Sequence, residues 1–317
     1  MNKNNANKAY FIALASAAFL SSTAILIRYL TLNYNMPALV LAFWRDFFVV
    51  ITVLPILFFR QRDLLKIDKE QGGFLLIYGF ILAIFNSLWT LSVAFNGAAV
   101  ATVLCYCSAA FTAILGKWLL NEELTWVKSM AILCSLAGCV LVSGAFDMAV
   151  WHTNLVGILS GILSGLAYAA YSLMGRSASQ RGLNPWTTLL FTFAFAGTVL
   201  LIVNMFPALG FPGIAQKPTD LFWLGADWRG WLPLFLLAAV PTVLGFGLYN
   251  VSLQYLPASV VNLIATSEPV FTTITAFLVF GERMHALELL GSALVLGGVV
   301  ILRLGKNKKS GIVVPLE

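Results

Sequence analysis

The feature that most constrains this chain is an internal repeat of apolar sequence. Residues 88–142 align without a gap with residues 248–302, at a constant offset of 160, with eleven identities in 55 positions. Glu122 and Glu282 match at the ends of apolar segments, and a glycine recurs inside the segment that follows each of them. These matches argue against chance similarity between two apolar stretches. In an apolar chain, such a repeat predicts a transporter whose binding site lies where the two repeats meet.

The composition indicates an integral membrane protein. Of the 317 residues, 60% are hydrophobic and only 10% are charged, whereas a soluble domain carries about 25% charged residues. Helices of about 20 apolar residues cross a bilayer. We therefore predict an all-α integral membrane protein with ten transmembrane helices, at residues 9–32, 38–59, 73–94, 98–120, 127–145, 154–175, 186–207, 231–251, 257–280 and 285–304. We interpret the first segment as an uncleaved span, because its apolar run continues past the Ala-Ser-Ala sequence that resembles a signal-peptide cleavage site.

The distribution of Lys and Arg predicts the orientation in the membrane. Fourteen of these residues fall on the side that holds the N-terminus, and three fall on the other side. Because cytoplasmic loops carry the excess of positive charge, both termini are expected in the cytoplasm, with the protein crossing the inner (plasma) membrane many times. The net charge of +6 thus reports topology and is spread over several loops. The expected partners are the lipid bilayer and a small-molecule substrate, and no nucleic acid.

The repeat also predicts how the two halves are related. Each half contains five segments, and an odd number places the start of the second half on the opposite side of the membrane. We therefore expect two inverted five-helix repeats, at residues 1–146 and 147–317. The first two segments of each half align weakly at an offset of 148, which pairs Arg28 with Arg176.

Three short motifs, combined with this layout, resemble a known family. The motifs are Phe43-Trp44-Arg45, Leu120-Asn121-Glu122 and Phe280-Gly281-Glu282. With two five-helix halves, the chain resembles the EamA-like branch of the drug/metabolite transporter superfamily over essentially its whole length. The resemblance implies secondary transport of small metabolites, often export, by alternating access between the halves. It leaves the substrate open.

Two charges break the symmetry between the halves. Arg45 aligns with Phe193, and Glu268 aligns with Ser108. Glu268 lies near the middle of its predicted span, and a charge at that depth costs at least about 2.5–3.5 kcal/mol. Pro269 follows it and removes a backbone donor, as in the broken helices of transporter sites. We predict that Arg45 and Glu268 bind substrate, although helix packing for Arg45 and a buried neutral acid for Glu268 are the structural alternatives.

Amphipathic side chains in the spans complete the predicted site. Aromatic rings with a polar tip suit a small amphipathic solute and can hold an amine by cation–π attraction, although each ring also fits ordinary helix packing. The further candidates for substrate binding are Trp44, Tyr78, Trp89, Tyr106, Tyr168, Tyr249, Asn250 and Asn262. Glu122 and Glu282 are predicted to be structural and to contact a neighbouring helix N-terminus.

The predicted function is secondary active transport, with export favoured, of a small amphipathic metabolite such as an amino acid. Its carboxylate would face Arg45, and its amine would face Glu268, which is also the candidate carboxylate for proton coupling. A lipid-linked metabolite flippase of the same fold is an alternative, and an integral-membrane enzyme is one from a different class. The enzyme is disfavoured because the chain has no phosphate-binding loop, no HExxH and only two histidines. No cofactor and no metal are expected.

Overall fold

The computed structural model describes residues 3–143, 154–280 and 286–309, and regular structure in these ranges is helical throughout. The predicted boundary between residues 146 and 147 lies outside the described ranges, as does Glu282. The α-helices are α1 (Lys3–Leu20), α2 (Thr23–Tyr34), α3 (Ala38–Arg60), α4 (Lys69–Tyr106), α5 (Ser108–Leu119), α6 (Trp126–Val142), α7 (Leu155–Gln180), α8 (Pro185–Met205), α9 (Trp228–Leu237), α10 (Val243–Leu253), α11 (Ala258–Ala265), α12 (Glu268–Phe280) and α13 (Ala286–Lys309). Short 3₁₀ turns at Arg62–Leu65, Pro207–Leu209 and Pro218–Phe222 and a π-helical turn at Ala238–Thr242 lie between them.

The chain is an all-helical membrane protein. In its described part, six helical stretches are long and apolar enough to cross a bilayer, and two shorter apolar helices, Trp126–Val142 and Leu289–Leu302, accompany them. Each of the ten predicted segments contains a helix. The longest stretch, Lys69–Leu119, has 51 residues and covers two of the predicted segments. Within it, Gly97 has φ 79° and interrupts the helical path of α4, which is the conformation that glycine adopts without steric cost.

Breaks in the helices recur at equivalent positions of the repeat. α4 ends at Tyr106 and α5 begins at Ser108, while α11 ends at Ala265 and α12 begins at Glu268. Ser108 and Glu268 are separated by the repeat offset of 160, so each opens the second part of a broken helix. Discontinuous helices of this kind build substrate sites in many transporters. A further break at Ser21–Ser22 divides the first predicted span into α1 and α2, which the apolar sequence did not indicate.

Two arginines show the same repetition in their contacts. Arg28 donates from Nη1 to the backbone oxygen of Ala94 at 3.4 Å. Its counterpart Arg176 donates from Nη1 to the backbone oxygens of Leu253 at 2.7 Å and Gln254 at 3.1 Å. Ala94 and Gln254 are also related by the offset of 160. Because cations stabilise the carbonyl end of a helix, both arginines serve the scaffold.

Close helix packing surrounds the centre of the molecule. α4 packs extensively against α7 and α8, and α6 packs against α13. A Cβ atom built on Gly161 of α7 would lie 2.7 Å from a side-chain carbon of Leu104, and one on Gly165 would lie 2.9 Å from the backbone oxygen of Cys105. Small residues therefore let α7 approach α4, as glycine rows do between membrane helices.

Candidate substrate-binding cavity

A small cavity lies where α1–α2, α3, α4, α7, α10 and α12 meet. Arg45 and Glu268, the two asymmetric charges, both line it. The other lining residues are Leu20, Thr23, Phe85, Trp89, Cys105, Tyr106, Tyr168 and Phe246. Its volume is about 30 Å³, and one water molecule needs roughly 10–15 Å³. The cavity thus has room for about two water molecules, and a metabolite fits only after the lining helices separate.

Arg45 of α3 presents a buried guanidinium to this cavity. The residue is 1% exposed, and its Nε donates to Oδ1 of Asp46 over a long 3.5 Å. Within the described chain, its Nη2 has no hydrogen-bond partner. A guanidinium carries five N–H donors in a fork that matches a carboxylate. Arg45 therefore has donors left for a ligand in the cavity.

Glu268 is the first residue of α12 and reaches the cavity from the break in the helix. The partial positive charge of a helix N-terminus favours a carboxylate at this position. Among the described residues, none forms a salt bridge with Glu268, and Arg45 pairs with Asp46 instead. Pro269 occupies the second position of α12, where its missing N–H is not needed by the helix. The sequence associated a helix break with Pro269, and the structure places the break just before Glu268.

Three of the predicted aromatic residues line the cavity, namely Trp89, Tyr106 and Tyr168, and all are buried. Tyr168 stacks on Phe85 with a centroid distance of 4.9 Å. Phe85, Phe246, Leu20 and the other newly found lining residues are apolar or small, apart from the hydroxyl of Thr23. Apolar positions carry no distinguishing signal in a sequence that is apolar almost throughout, so sequence reasoning missed them.

Tyr249 and Asn262 lie behind the cavity in a buried hydrogen-bond network. The Tyr249 hydroxyl is 2.6 Å from the Ser172 hydroxyl. Asn262 donates from Nδ2 to Ser172 Oγ at 2.9 Å and accepts from Ser108 Oγ at 2.8 Å. The Tyr249 ring lies 5.6 Å from that of Tyr168. Neither residue lines the cavity; Tyr249 packs against the lining residue Tyr168, and Asn262 lies one hydrogen bond further out.

Tyr78 of α4 and Asn250 of α10 belong to a second buried group, which surrounds Tyr171 of α7. The Tyr78 ring lies 4.8 Å from the ring of Tyr171, whose hydroxyl donates to Oδ1 of Asn250 at 3.3 Å. Asn250 Nδ2 has no hydrogen-bond partner within the described chain. Neither residue lines the cavity.

The structure separates Trp44 from the cavity. Its indole packs against Trp231, at 4.7 Å between ring centroids, and Nε1 donates to the backbone oxygen of Leu221 at 2.5 Å. Trp44 precedes Arg45 on α3, and neighbouring helical residues project about 100° apart. The same helix geometry that points Arg45 inward therefore directs Trp44 towards α9.

Glu122 joins the first half of the chain to α11 of the second half. Its Oε1 accepts from the Ala258 N–H at 2.6 Å, and its Oε2 accepts from the Ser259 N–H at 3.2 Å and from the Ser259 hydroxyl. Lys128 Nζ lies 3.8 Å from Oε2 and donates to Ser259 Oγ at 2.8 Å. The prediction that Glu122 contacts a neighbouring helix N-terminus is confirmed.

Comparison with known proteins identifies the family. The EamA-like transporter family matches residues 7–144 and 155–304, which together make up most of the chain. The chain belongs to the EamA-like transporter family. This family of the drug/metabolite transporter superfamily consists of transporters and not enzymes, so the predictions of family and of a non-enzymatic function are confirmed.

Relatives of this EamA-like transporter carry transporter names. It is 25% identical over 291 residues to an uncharacterized transporter of Archaeoglobus fulgidus, covering 90% of this chain and 93% of that one. It is 24% identical over 271 residues to a probable amino-acid metabolite efflux pump of Escherichia coli, covering 84% and 86%. A crystal structure with 16% identity superposes with a TM-score of 0.72, covering 94% of this chain and 98% of the other, which supports the fold.

Proposed function

We propose that this EamA-like transporter exports an amino acid or a similar small zwitterion by alternating access. The observation that carries the proposal is the placement of Arg45 and Glu268 on one cavity. A guanidinium with open donors suits the carboxylate of the substrate, and the Glu268 carboxylate suits its amine. The apolar and aromatic lining suits an apolar side chain. Similarity to a probable amino-acid metabolite efflux pump agrees with this choice.

The proposal includes ten spans arranged as two inverted repeats, at residues 1–146 and 147–317, with both termini in the cytoplasm. The equivalent breaks before Ser108 and Glu268 support the repeat. The equivalent arginine contacts of Arg28 and Arg176 support it as well. In this topology, Glu122 and α11 meet at the cytoplasmic end of the protein, and the cavity lies deeper in the membrane.

Proton exchange at Glu268 supplies the driving force in this scheme. An amine cation binds the ionised carboxylate, whereas a proton on Glu268 removes that attraction. Substrate and proton therefore compete for the same group. A carrier that binds one or the other moves them in opposite directions, so an inward proton gradient would drive export.

The test is transport by the purified protein. A thermal-shift screen against amino acids, amines and nucleosides selects the substrate, and counterflow in proteoliposomes measures its exchange. Arg45→Ala and Glu268→Gln should each lower counterflow at least about 10-fold, since a hydrogen bond to a charged group contributes about 1.5–3 kcal/mol. The matched controls are Arg62→Ala and Glu70→Gln, which change exposed residues. Counterflow that is unchanged in both cavity variants would refute the site.

A further inference from the structure

Arg45 is buried deep in the protein and makes only one long contact, from Nε, to a protein carboxylate. The guanidinium is 1% exposed, and a buried charge requires a nearby countercharge. Among the described residues, the countercharge beside Arg45 is Asp46, which is 0% exposed. Adjacent helical residues cannot face each other, and the contact from Nε to Oδ1 is accordingly long, at 3.5 Å. Asp46 thus balances the charge of Arg45 but leaves Nη2 without a partner.

The Asp46 carboxylate is held by a different residue. Asn86 of α4, itself 0% exposed, donates from Nδ2 to both carboxylate oxygens of Asp46, each at 2.8 Å. The Asn86 backbone oxygen accepts from the Thr90 hydroxyl at 2.7 Å. Asn86 thus contacts both oxygens of Asp46 at short distance, whereas Arg45 reaches only Oδ1, and only through Nε. A direct bidentate pair would instead occupy the donors that a substrate needs.

We infer that Asp46 and Asn86 are positioning residues for Arg45. They hold the guanidinium so that its unpaired donors remain available to the cavity, and the site therefore selects for a carboxylate. The inference rests on the proposed function, because it assumes that Arg45 binds the substrate. It goes beyond that function by assigning the selection of the carboxylate to a pair on α3 and α4. Neither Asp46 nor Asn86 lines the cavity.

The test is the protection of Arg45 by a simple carboxylate. Phenylglyoxal modifies guanidinium groups, and mass spectrometry of the Arg45 peptide follows the reaction on the purified full-length protein. Sodium benzoate at increasing concentration is the probe. In the wild-type chain, benzoate should slow the modification of Arg45 in a saturable manner. The ether anisole, which is similar in size and has no carboxylate, should leave the rate unchanged.

Asn86→Leu and Asp46→Asn are the informative variants. Both should raise the benzoate concentration for half-protection about 10- to 100-fold, as expected for a lost charge-assisted hydrogen bond. Asn86→Leu keeps both charges, so it remains useful if Asp46→Asn does not fold. Asn86→Gln retains an amide and should restore part of the protection. Ser92→Ala is the matched control, because Ser92 is another fully buried polar residue of α4.

The outcomes separate the inference from the proposed function. A merely structural role would change the modification rate without benzoate and leave the half-protection concentration in place. That result, or a wild-type Arg45 that benzoate does not protect, would overturn the inference. If benzoate protection depends on Asn86 while no amino acid is transported, the positioning role stands and the proposed substrate is wrong.

Discussion

Loss of the Glu122 carboxylate should open the side of the transporter that we propose faces the cytoplasm. Glu122 accepts hydrogen bonds from two backbone N–H groups at the start of α11, and both Ala258 and Ser259 are fully buried. It also lies beside the ammonium of Lys128, which is 6% exposed. The contact joins the two halves of the chain. Under the proposed alternating access, it must break when the halves separate at this end. The contact exists only in the closed arrangement, so Glu122→Ala destabilises that arrangement and leaves the open one unchanged.

The size of the shift towards the open arrangement follows from the contacts that are lost. Each buried group that loses its partner costs about 1–3 kcal/mol. Truncating one partner of a buried, hydrogen-bonded charge pair costs about 2–5 kcal/mol. Since 1.4 kcal/mol is a factor of ten, the ratio of open to closed protein should rise at least about 30-fold.

Cys105 is a native reporter for this opening, because it lines the cavity and is 4% exposed. In a chain whose other three cysteines are replaced by alanine, a charged methanethiosulfonate reagent is added to inside-out vesicles. Glu122→Ala should accelerate the labelling of Cys105 from the proposed cytoplasmic side by an order of magnitude or more. Glu70→Ala removes an exposed carboxylate and should not change it. A folded Glu122→Ala protein with an unchanged labelling rate would refute the reasoning.

Three further predictions address the closed contact, the packing and the coupling. A disulfide in Glu122→Cys/Ser259→Cys should stop counterflow, and a reductant should restore it; undiminished transport by the oxidised protein would contradict alternating access at this contact. Gly161→Leu should lower the free energy of unfolding by about 1–3 kcal/mol, measured by thermal denaturation. Gly73→Ala should not lower it, because a Cβ there meets nothing within 4 Å. Glu268→Gln should abolish the stimulation of export by an inward proton gradient, and a stimulation that survives would rule out Glu268 as the proton carrier.

The sequence predicted the scaffold well because the scaffold repeats. The helices occupy all ten apolar segments, and the match between Glu122 and Glu282 correctly marked Glu122 as a structural contact. The break between α1 and α2 was missed, since Ser21 and Ser22 lack the helix-breaking chemistry of proline or glycine. Helix ends that depend on tertiary contacts leave little trace in an apolar segment.

The candidate site was only partly predictable, for a geometric reason. Arg45 and Glu268 stood out because charge is rare in a membrane segment, and the structure brings both to one cavity. Trp44 and Tyr78 belong to the same chemical class as Trp89 yet lie elsewhere. Which face of a helix meets the cavity depends on how the helices are rotated in the bundle, and a sequence that is apolar on every face does not report that rotation.

The most direct test of the central claim is the protection of Cys105 by matched ligands. The claim is that one cavity binds a carboxylate at Arg45 and an amine at Glu268. L-leucine, 3-methylbutylamine and 4-methylpentanoate share an apolar chain and differ in carrying both groups, only the amine or only the carboxylate. Leucine is predicted to protect Cys105 from labelling at concentrations at least about 10-fold lower than either single-charge ligand, as expected for one extra charge-assisted hydrogen bond. Equal protection by the amine or the acid alone would contradict the claim.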